Sequence, residues 1–164
     1  MSAVTAYIGL GSNLADPKAQ VRAGIDALRR LPQSAVERCS ALYASAPVGI
    51  TAQPDFVNAA CRVRTVLSAR ALMQTLLAIE HEHGRVRGAE KGGPRTLDLD
   101  LLLYGDSLVN EPDLVVPHPR LHERAFVLYP LQELDAGLIV PGRGAVADLL
   151  AGSGGQRVVR LEGC

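Results

Sequence analysis

Four strand-like runs and two amphipathic helices alternate along this chain in the order β-α-β-β-α-β, which predicts an α+β fold of the ferredoxin-like kind: an antiparallel sheet with helices packed on one face, followed by C-terminal additions. Three observations carry that reading. Residues 4–10, 35–45, 56–67 and 97–104 are apolar runs of strand length; Val21, Ile25, Leu28 and Leu31, and then Leu72, Leu76, Ile79 and His83, recur at helical spacing; and proline or glycine punctuates the joins.

Taken in order, the first strand ends in Gly9-Leu10-Gly11-Ser12-Asn13, read as a turn. A glycine-rich segment between strand and helix also suits phosphate, but this one lacks the dinucleotide fingerprint and the P-loop lysine. Asp16 is placed to cap the first helix with Pro17 at its first position, and Pro32 ends the run. A Pro/Gly-rich loop, 46–54, joins the two central strands. Ser68 is placed to cap the second helix and Gly84 to end it. Beyond residue 104 the punctuated sequence predicts a short hairpin and helices near 124–134 and 146–150, all within one domain of residues 1–164.

The fourth strand carries the chemistry. In Leu97-Asp98-Leu99-Asp100-Leu101-Leu102-Leu103-Tyr104 the alternation of a strand puts Asp98 and Asp100 side by side on one face, with Leu97, Leu99, Leu101 and Leu103 on the other. Two carboxylates so close repel unless a cation lies between them, and Mg²⁺ is characteristically held by one or two carboxylates together with substrate phosphates. The plainer reading is a strand end whose acids are solvated. Residues 84–95, GRVRGAEKGGPR, weigh against it: Arg85, Arg87, Lys91 and Arg95 make this loop cationic, guanidinium forks match phosphate oxygens, and glycines allow closure over a ligand.

Composition narrows the partners. The 164 residues carry no net charge, with two Phe, four Tyr and no Trp, so the footprint of a nucleic-acid binder is missing and a small anionic ligand fits better. No apolar run has membrane length and no signal peptide is evident, so a cytoplasmic, reduced protein without membrane partners is expected, and separately a monomer. Cys39, Cys61 and Cys164 have neither disulfide-framework nor zinc spacing. His81-Glu82-His83 offers metal-ligand residue types without a third ligand nearby, and His118 and His122 bracket Arg120 in a proline-rich turn before Arg124, where cationic groups suit a phosphate tail.

The strings GLGSNL, PDFVNAA, GRVR, GPRTLDLDLLLYG and VPHP, with an Arg and a Phe shortly after, run in order from Ala6 to about Pro130 and resemble the 6-hydroxymethyl-7,8-dihydropterin pyrophosphokinase family of the folate pathway. The resemblance implies the ferredoxin-like fold, and transfer of pyrophosphate from ATP to the pterin hydroxymethyl oxygen with two Mg²⁺ ions and release of AMP. By the same resemblance Asp98 and Asp100 match the metal-holding aspartates, Arg85 and Arg95 the loop arginines at the reacting phosphates, and Arg87 a further nucleotide contact. Glu80 matches an ATP-side carboxylate, and His118 and Arg124 match residues that grip the triphosphate. Phe56 and Phe126 match two rings that sandwich the pterin, Asn58 a hydrogen bond to its ring edge, and Ser45, Pro47 and Val48 further pocket positions.

Three positions depart from the pattern: Gly92 where an aromatic is frequent, Leu77 where a polar residue serves the nucleotide, and Asp113 where a basic residue occurs. Two alternatives stand beside the resemblance. A Mg²⁺-dependent phosphohydrolase would use the same acid pair to activate water but has no need of a ring sandwich. A non-catalytic ferredoxin-like ligand-binding domain has no use for paired acids beside a cationic loop.

Overall fold

The structure, a computed structural model, describes residues 2–14, 16–47, 53–84 and 96–164. Strand β1 (Val4–Ser12) leads through Asp16 into helix α1 (Pro17–Leu28), with the Asp16 carboxylate accepting the Ala19 N–H and Pro17 at the first turn. Strands β2 (Ser34–Cys39), β3 (Tyr43–Ser45) and β4 (Phe56–Thr65) follow, then helix α2 (Ala69–Glu82), opened by Ser68 accepting from Ala71 N–H. Gly84, at φ +84°, takes the left-handed conformation that closes a helix C-terminus. Strand β5 (Asp98–Tyr104) and the hairpin β6 (Val109–Glu111) with β7 (Leu114–Val116) lead to a 3-10 turn at Leu121–Glu123 and helix α3 (Ala125–Leu134). A second hairpin, β8 (Ile139–Val140) with β9 (Gly144–Ala145), helix α4 (Val146–Ala151) and strand β10 (Val158–Arg160) complete the order.

The sheet runs β10-β3-β4-β1-β5, with β2 also paired to β4 and every pairing antiparallel. This is the predicted arrangement, with the order of its four principal strands fixed by β1 lying between β4 and β5. Helices cover both faces, however, where one was expected. Leu10, Val21, Ile25, Leu72, Leu76, Leu97 and Leu99 form a core beneath α1 and α2. Tyr7, Ala60, Leu102, Leu128, Leu131 and Val146 form another beneath α3 and α4. The C-terminal region supplies the second layer, because the face of the sheet left open by α1 and α2 is itself apolar along Tyr7, Ala60 and Leu102, and each large side chain buried there contributes about 1.5–3 kcal/mol.

Four local expectations are corrected. The first strand does not turn at Gly9: it continues to Ser12, because β4 and β5 supply ladder partners to both sides of Gly9 and Gly11. The first helix stops at Leu28, short of Pro32, and tightens into turns closed by Arg30 N–H to Ala27 O and Leu31 N–H to Leu28 O. The run 35–45 breaks into β2 and β3. At the break Ser40 N–H still donates to Ala60 O at 2.8 Å, but the Ser40 hydroxyl accepts the Ala60 N–H at 2.9 Å and the Glu133 carboxylate, from α3, accepts the Ala41 N–H at 3.0 and 3.2 Å, so side chains take over part of the ladder.

In β5 the expected alternation breaks at a bulge. The register shifts between Tyr7 and Ile8, which pair with Leu103 and Leu101, so Leu102 is the extra residue of a β-bulge. Leu103 therefore joins Leu102 in the core beneath α3, on the same side as the aspartates, while Tyr104 packs beneath α1 and α2. Among the described residues no helix is long and apolar enough to cross a membrane.

Candidate active site

Paired residues of an antiparallel sheet project to the same face, and the register places Asp98 opposite Gly11 and Asp100 opposite Gly9. On its other side Gly11 pairs with Asn58 and Gly9 with Ala60. A row Asp98–Gly11–Asn58 thus crosses three strands on one face, spanning about 10 Å at the usual strand separation. Glycine at its centre leaves the space open: a Cβ on Gly11 would stand 3.3 Å from Asn58 Oδ1. Strand pairing thus brings the expected metal pair and the expected pterin contact together across a residue without a side chain.

From the opposite face, Glu80 of α2 is buried at 4% exposure and its Oε2 accepts the N–H of Leu99 at 2.7 Å, fixing the backbone between the two aspartates. His118 follows β7. Its N–H donates to Leu102 O at 2.9 Å, locking the segment to β5, and its Nε2 lies 3.9 Å from Asp100 Oδ1. Burial, reinforced by the Arg124 guanidinium, pushes the imidazole down to about 4 although Asp98 acts the other way, so the ring is neutral at physiological pH. Nδ1 accepts the Arg120 N–H at 3.2 Å, which assigns the proton to Nε2 and aims a donor at the acid pair.

Arg124 enters from the start of α3. Burial lowers its pKa, opposed by Asp100 and Asp98, and its guanidinium carbon lies 5.6 Å from the centroid of the Phe126 ring. Its Nε is buried with no hydrogen-bond acceptor among the described residues. A buried guanidinium N–H without an acceptor calls for an anion, and phosphate oxygens satisfy it. The acid pair offers hard oxygen donors to a cation on the same side. Among the described residues no group of three or more His, Cys, Asp and Glu could hold a metal ion; two carboxylates on one face fit a hard divalent cation that takes its other oxygens from elsewhere.

The remaining expected residues stand on or beside β3, β4 and α3. Asn58, buried, donates through Nδ2 to Ser45 Oγ at 2.6 Å, which turns its Oδ1 toward Gly11. Phe56 opens β4 opposite Ser45, Pro47 lies just beyond β3, and Phe126 stands in the first turn of α3, which packs on β3 and β4; Phe56, Pro47 and Phe126 are all half-buried. Asn13 had no assigned role, yet its Nδ2 donates to Gln53 Oε1 at 2.8 Å and Pro54 O at 3.0 Å, tying the segment before Phe56 to the end of β1. Gly11 was missed as well, and the available signal was a glycine inside a strand, which marks close approach. Arg85, Arg87, Lys91, Gly92, Arg95 and Val48 lie outside the described residues. Of the departures, Asp113 has a partner: both its oxygens receive Arg70, at 2.9 and 3.1 Å, and Arg70 also pairs with Glu111, which fastens the β6–β7 hairpin to α2. Leu77 is half-buried on α2.

An antiparallel α+β sheet that presents paired aspartates, a neutral histidine and an anion-seeking arginine on one face has the donor set of a metal-assisted phosphoryl-transfer protein. The family described as 7,8-dihydro-6-hydroxymethylpterin-pyrophosphokinase (HPPK) matches residues 7–136, and the chain belongs to it. It is 46% identical to the 2-amino-4-hydroxy-6-hydroxymethyldihydropteridine pyrophosphokinase of Pseudomonas aeruginosa, over 96% of each chain. Identity to the protein of the same name from Haemophilus influenzae is 39%, over 97% of this chain and 99% of that one. In fold it is similar to the solved HPPK-DHPS of Plasmodium falciparum with pterin and p-hydroxybenzoate, with a TM-score of 0.72 at 11% identity over 93% of this chain and 42% of that one.

Proposed function

We propose that this chain transfers the pyrophosphoryl group of ATP to the hydroxymethyl oxygen of 6-hydroxymethyl-7,8-dihydropterin, giving AMP and the pterin diphosphate, a step in folate biosynthesis. The observation that carries the reading is the Asp98–Gly11–Asn58 row: the acid pair and the amide that suits a pterin ring edge share one face about 10 Å apart, a separation that a bicyclic ring and its hydroxymethyl arm can bridge. Family membership and full-length relatives of that name support it.

In this reading Asn58, with Nδ2 committed to Ser45, accepts from the pterin through Oδ1, while Phe56 and Phe126 hold the ring by stacking, with Pro47 and Val48 as apolar neighbours. His118 Nε2–H and Arg124 take phosphate oxygens of ATP, and Arg124 Nε gains the acceptor it lacks among the described residues. Arg85 and Arg95 meet the charge that develops as the β-phosphorus is attacked and AMP departs, and Arg87 steadies the nucleotide. Asp98 and Asp100 would hold two Mg²⁺ ions, which would supply Lewis-acid charge at the reacting phosphates. Glu80, matched to an ATP-side carboxylate, is assigned a positioning role through Leu99, because its Oε2 is committed to that amide. The chain works as one domain in the cytoplasm, as a monomer acting on free small molecules.

Incubation with ATP, Mg²⁺ and the dihydropterin alcohol should yield AMP and pterin diphosphate in equal amounts. ADP as the product, or phosphate release indifferent to pterin, would overturn the reading in favour of another phosphoryl transferase or a phosphohydrolase.

A further inference from the structure

On the sheet face remote from the acid pair, β2 and β4 bring two thiols together. Cys39 and Cys61 are register partners, and their sulfurs stand 3.1 Å apart with the Cys61 S–H directed at Cys39. The neighbouring pair, Ser40 and Ala60, is joined by Ser40 N–H to Ala60 O at 2.8 Å, and ladder bonds alternate along antiparallel strands, so Cys39 and Cys61 occupy a non-hydrogen-bonded pair, the one with the closer side chains. A cross-strand pair of that kind has the Cβ separation a disulfide needs.

The two thiols have different environments. Cys61 is fully buried, whereas Cys39 is half-buried, with Arg29 Nη2 at 3.9 Å and Cys164 beside it. The S–H···S bond from Cys61 is the largest influence on Cys39, and with the Arg29 guanidinium it outweighs burial and the Asp26 carboxylate to draw the thiol down to about 7. The same contact, together with burial, holds Cys61 protonated. A thiolate reachable from solvent with a protonated thiol against it is the arrangement of a peroxide-reactive cysteine and its resolving partner.

We propose that Cys39 and Cys61 form a peroxide-sensitive modification site, in which the Cys39 thiolate is oxidised to the sulfenic acid and Cys61 resolves it to a cross-strand disulfide. The atoms balance in two steps. The Cys39 thiolate attacks one oxygen of hydrogen peroxide, the O–O bond breaks, and the departing hydroxide takes a proton to leave as water. Cys61 sulfur then attacks the Cys39 sulfur, the S–O bond breaks, and the hydroxyl leaves as a second water with the proton of the Cys61 thiol. Two thiols are oxidised and one peroxide is reduced. Transient disulfides of this kind are the ones found in reducing compartments.

The test is intact-mass spectrometry and non-reducing peptide mapping of the whole chain after exposure to hydrogen peroxide, for wild type, Cys164→Ser and Cys61→Ala. Wild type and Cys164→Ser should each lose two hydrogens and give a linked Cys39–Cys61 peptide pair that dithiothreitol separates. Cys61→Ala, made in the Cys164→Ser background so that the neighbouring thiol cannot resolve it, should instead leave Cys39 as a sulfenic acid that dimedone traps. The Cys164→Ser arm leaves the buried pair intact and decides the matter even if Cys61→Ala does not fold. Absence of a disulfide in wild type, or a disulfide lost in Cys164→Ser, would overturn the assignment.

Discussion

The backbone N–H of Leu99 donates to Oε2 of Glu80 at 2.7 Å, and the side chain that receives it is only 4% exposed. A helix residue on one face of the sheet thereby fixes the peptide between two acids that project from the other. Removing the acceptor leaves a buried donor without a partner, which costs about 1–3 kcal/mol. Glu80→Ala should therefore lose thermal stability by that amount and bind Mg²⁺ with an ATP analogue more weakly, whereas Glu80→Gln, which keeps a carbonyl oxygen, should recover most of both. Calorimetry and thermal melts of the two variants check this. A rise in KM for ATP in both, with stability unchanged, would return Glu80 to the nucleotide site.

Asp98 and Asp100 are only partly buried and belong to neither core cluster, so replacing them leaves the packing alone. Asp98→Asn and Asp100→Asn should each lower turnover on the order of a thousandfold, equivalent to several kcal/mol of lost transition-state stabilisation, with melting temperature within a few degrees of wild type. Steady-state AMP production and circular dichroism measure the two halves of the expectation. Either variant retaining a tenth of the activity removes that aspartate from the metal pair.

Tyr43 donates its hydroxyl to Glu133 Oε1 at 2.6 Å, and burial together with that carboxylate pushes the phenol up to about 12. The folded state therefore holds the proton more tightly than the unfolded chain, whose tyrosines titrate near 10. The stabilisation is complete below pH 10 and is lost as pH rises from 10 to 12. Tyr43→Phe should be less stable at pH 8 by about 1.5–3 kcal/mol, the worth of a hydrogen bond to a charged acceptor, and should fall less steeply above pH 10. Some decline persists in the variant, since burial, reinforced by Asp135, also raises Tyr7. Urea melts from pH 8 to 11.5 follow the effect; parallel curves for the two proteins would dissociate Tyr43 from alkaline unfolding.

The features legible in the sequence are those that depend on near neighbours. Ser68 and Asp16 cap helices because a short polar side chain reaches the backbone N–H three residues further on, and Asp98 and Asp100 share a face because a strand alternates. What stayed hidden depends on partners distant in the chain. Gly9 to Ser12 resemble a turn until β4 and β5 are laid on both sides. The bulge at Leu102 is concealed in an unbroken run of leucines, and β10, three residues long, is a strand only because β3 offers an edge. Cys39 and Cys61 are 22 residues apart and reveal nothing until the register joins them. In the site, residue types indicated the chemistry, but that Gly11 connects Asp98 to Asn58 is a property of the sheet.

Gly11 gives the sharpest test of that row. Its backbone is extended, so alanine is accommodated without strain, and replacing a strand glycine tends to stabilise by reducing the freedom of the unfolded chain. The added methyl would nevertheless stand 3.3 Å from Asn58 Oδ1, the oxygen proposed to accept from the pterin while Nδ2 is bound to Ser45. Displacing that oxygen by a few tenths of an ångström weakens one buried hydrogen bond, a loss of about 1–2 kcal/mol or roughly tenfold in affinity. Gly11→Ala should therefore bind the dihydropterin about tenfold more weakly in the presence of Mg²⁺ and a non-hydrolysable ATP analogue, while its melting temperature holds or rises and its affinity for the nucleotide is unchanged. Fluorescence titration of pterin and calorimetric titration of nucleotide separate the two affinities. Unaltered pterin binding in a folded Gly11→Ala protein would mean that the ring edge is recognised away from Asn58, and that the row joins the acid pair to nothing the substrate touches.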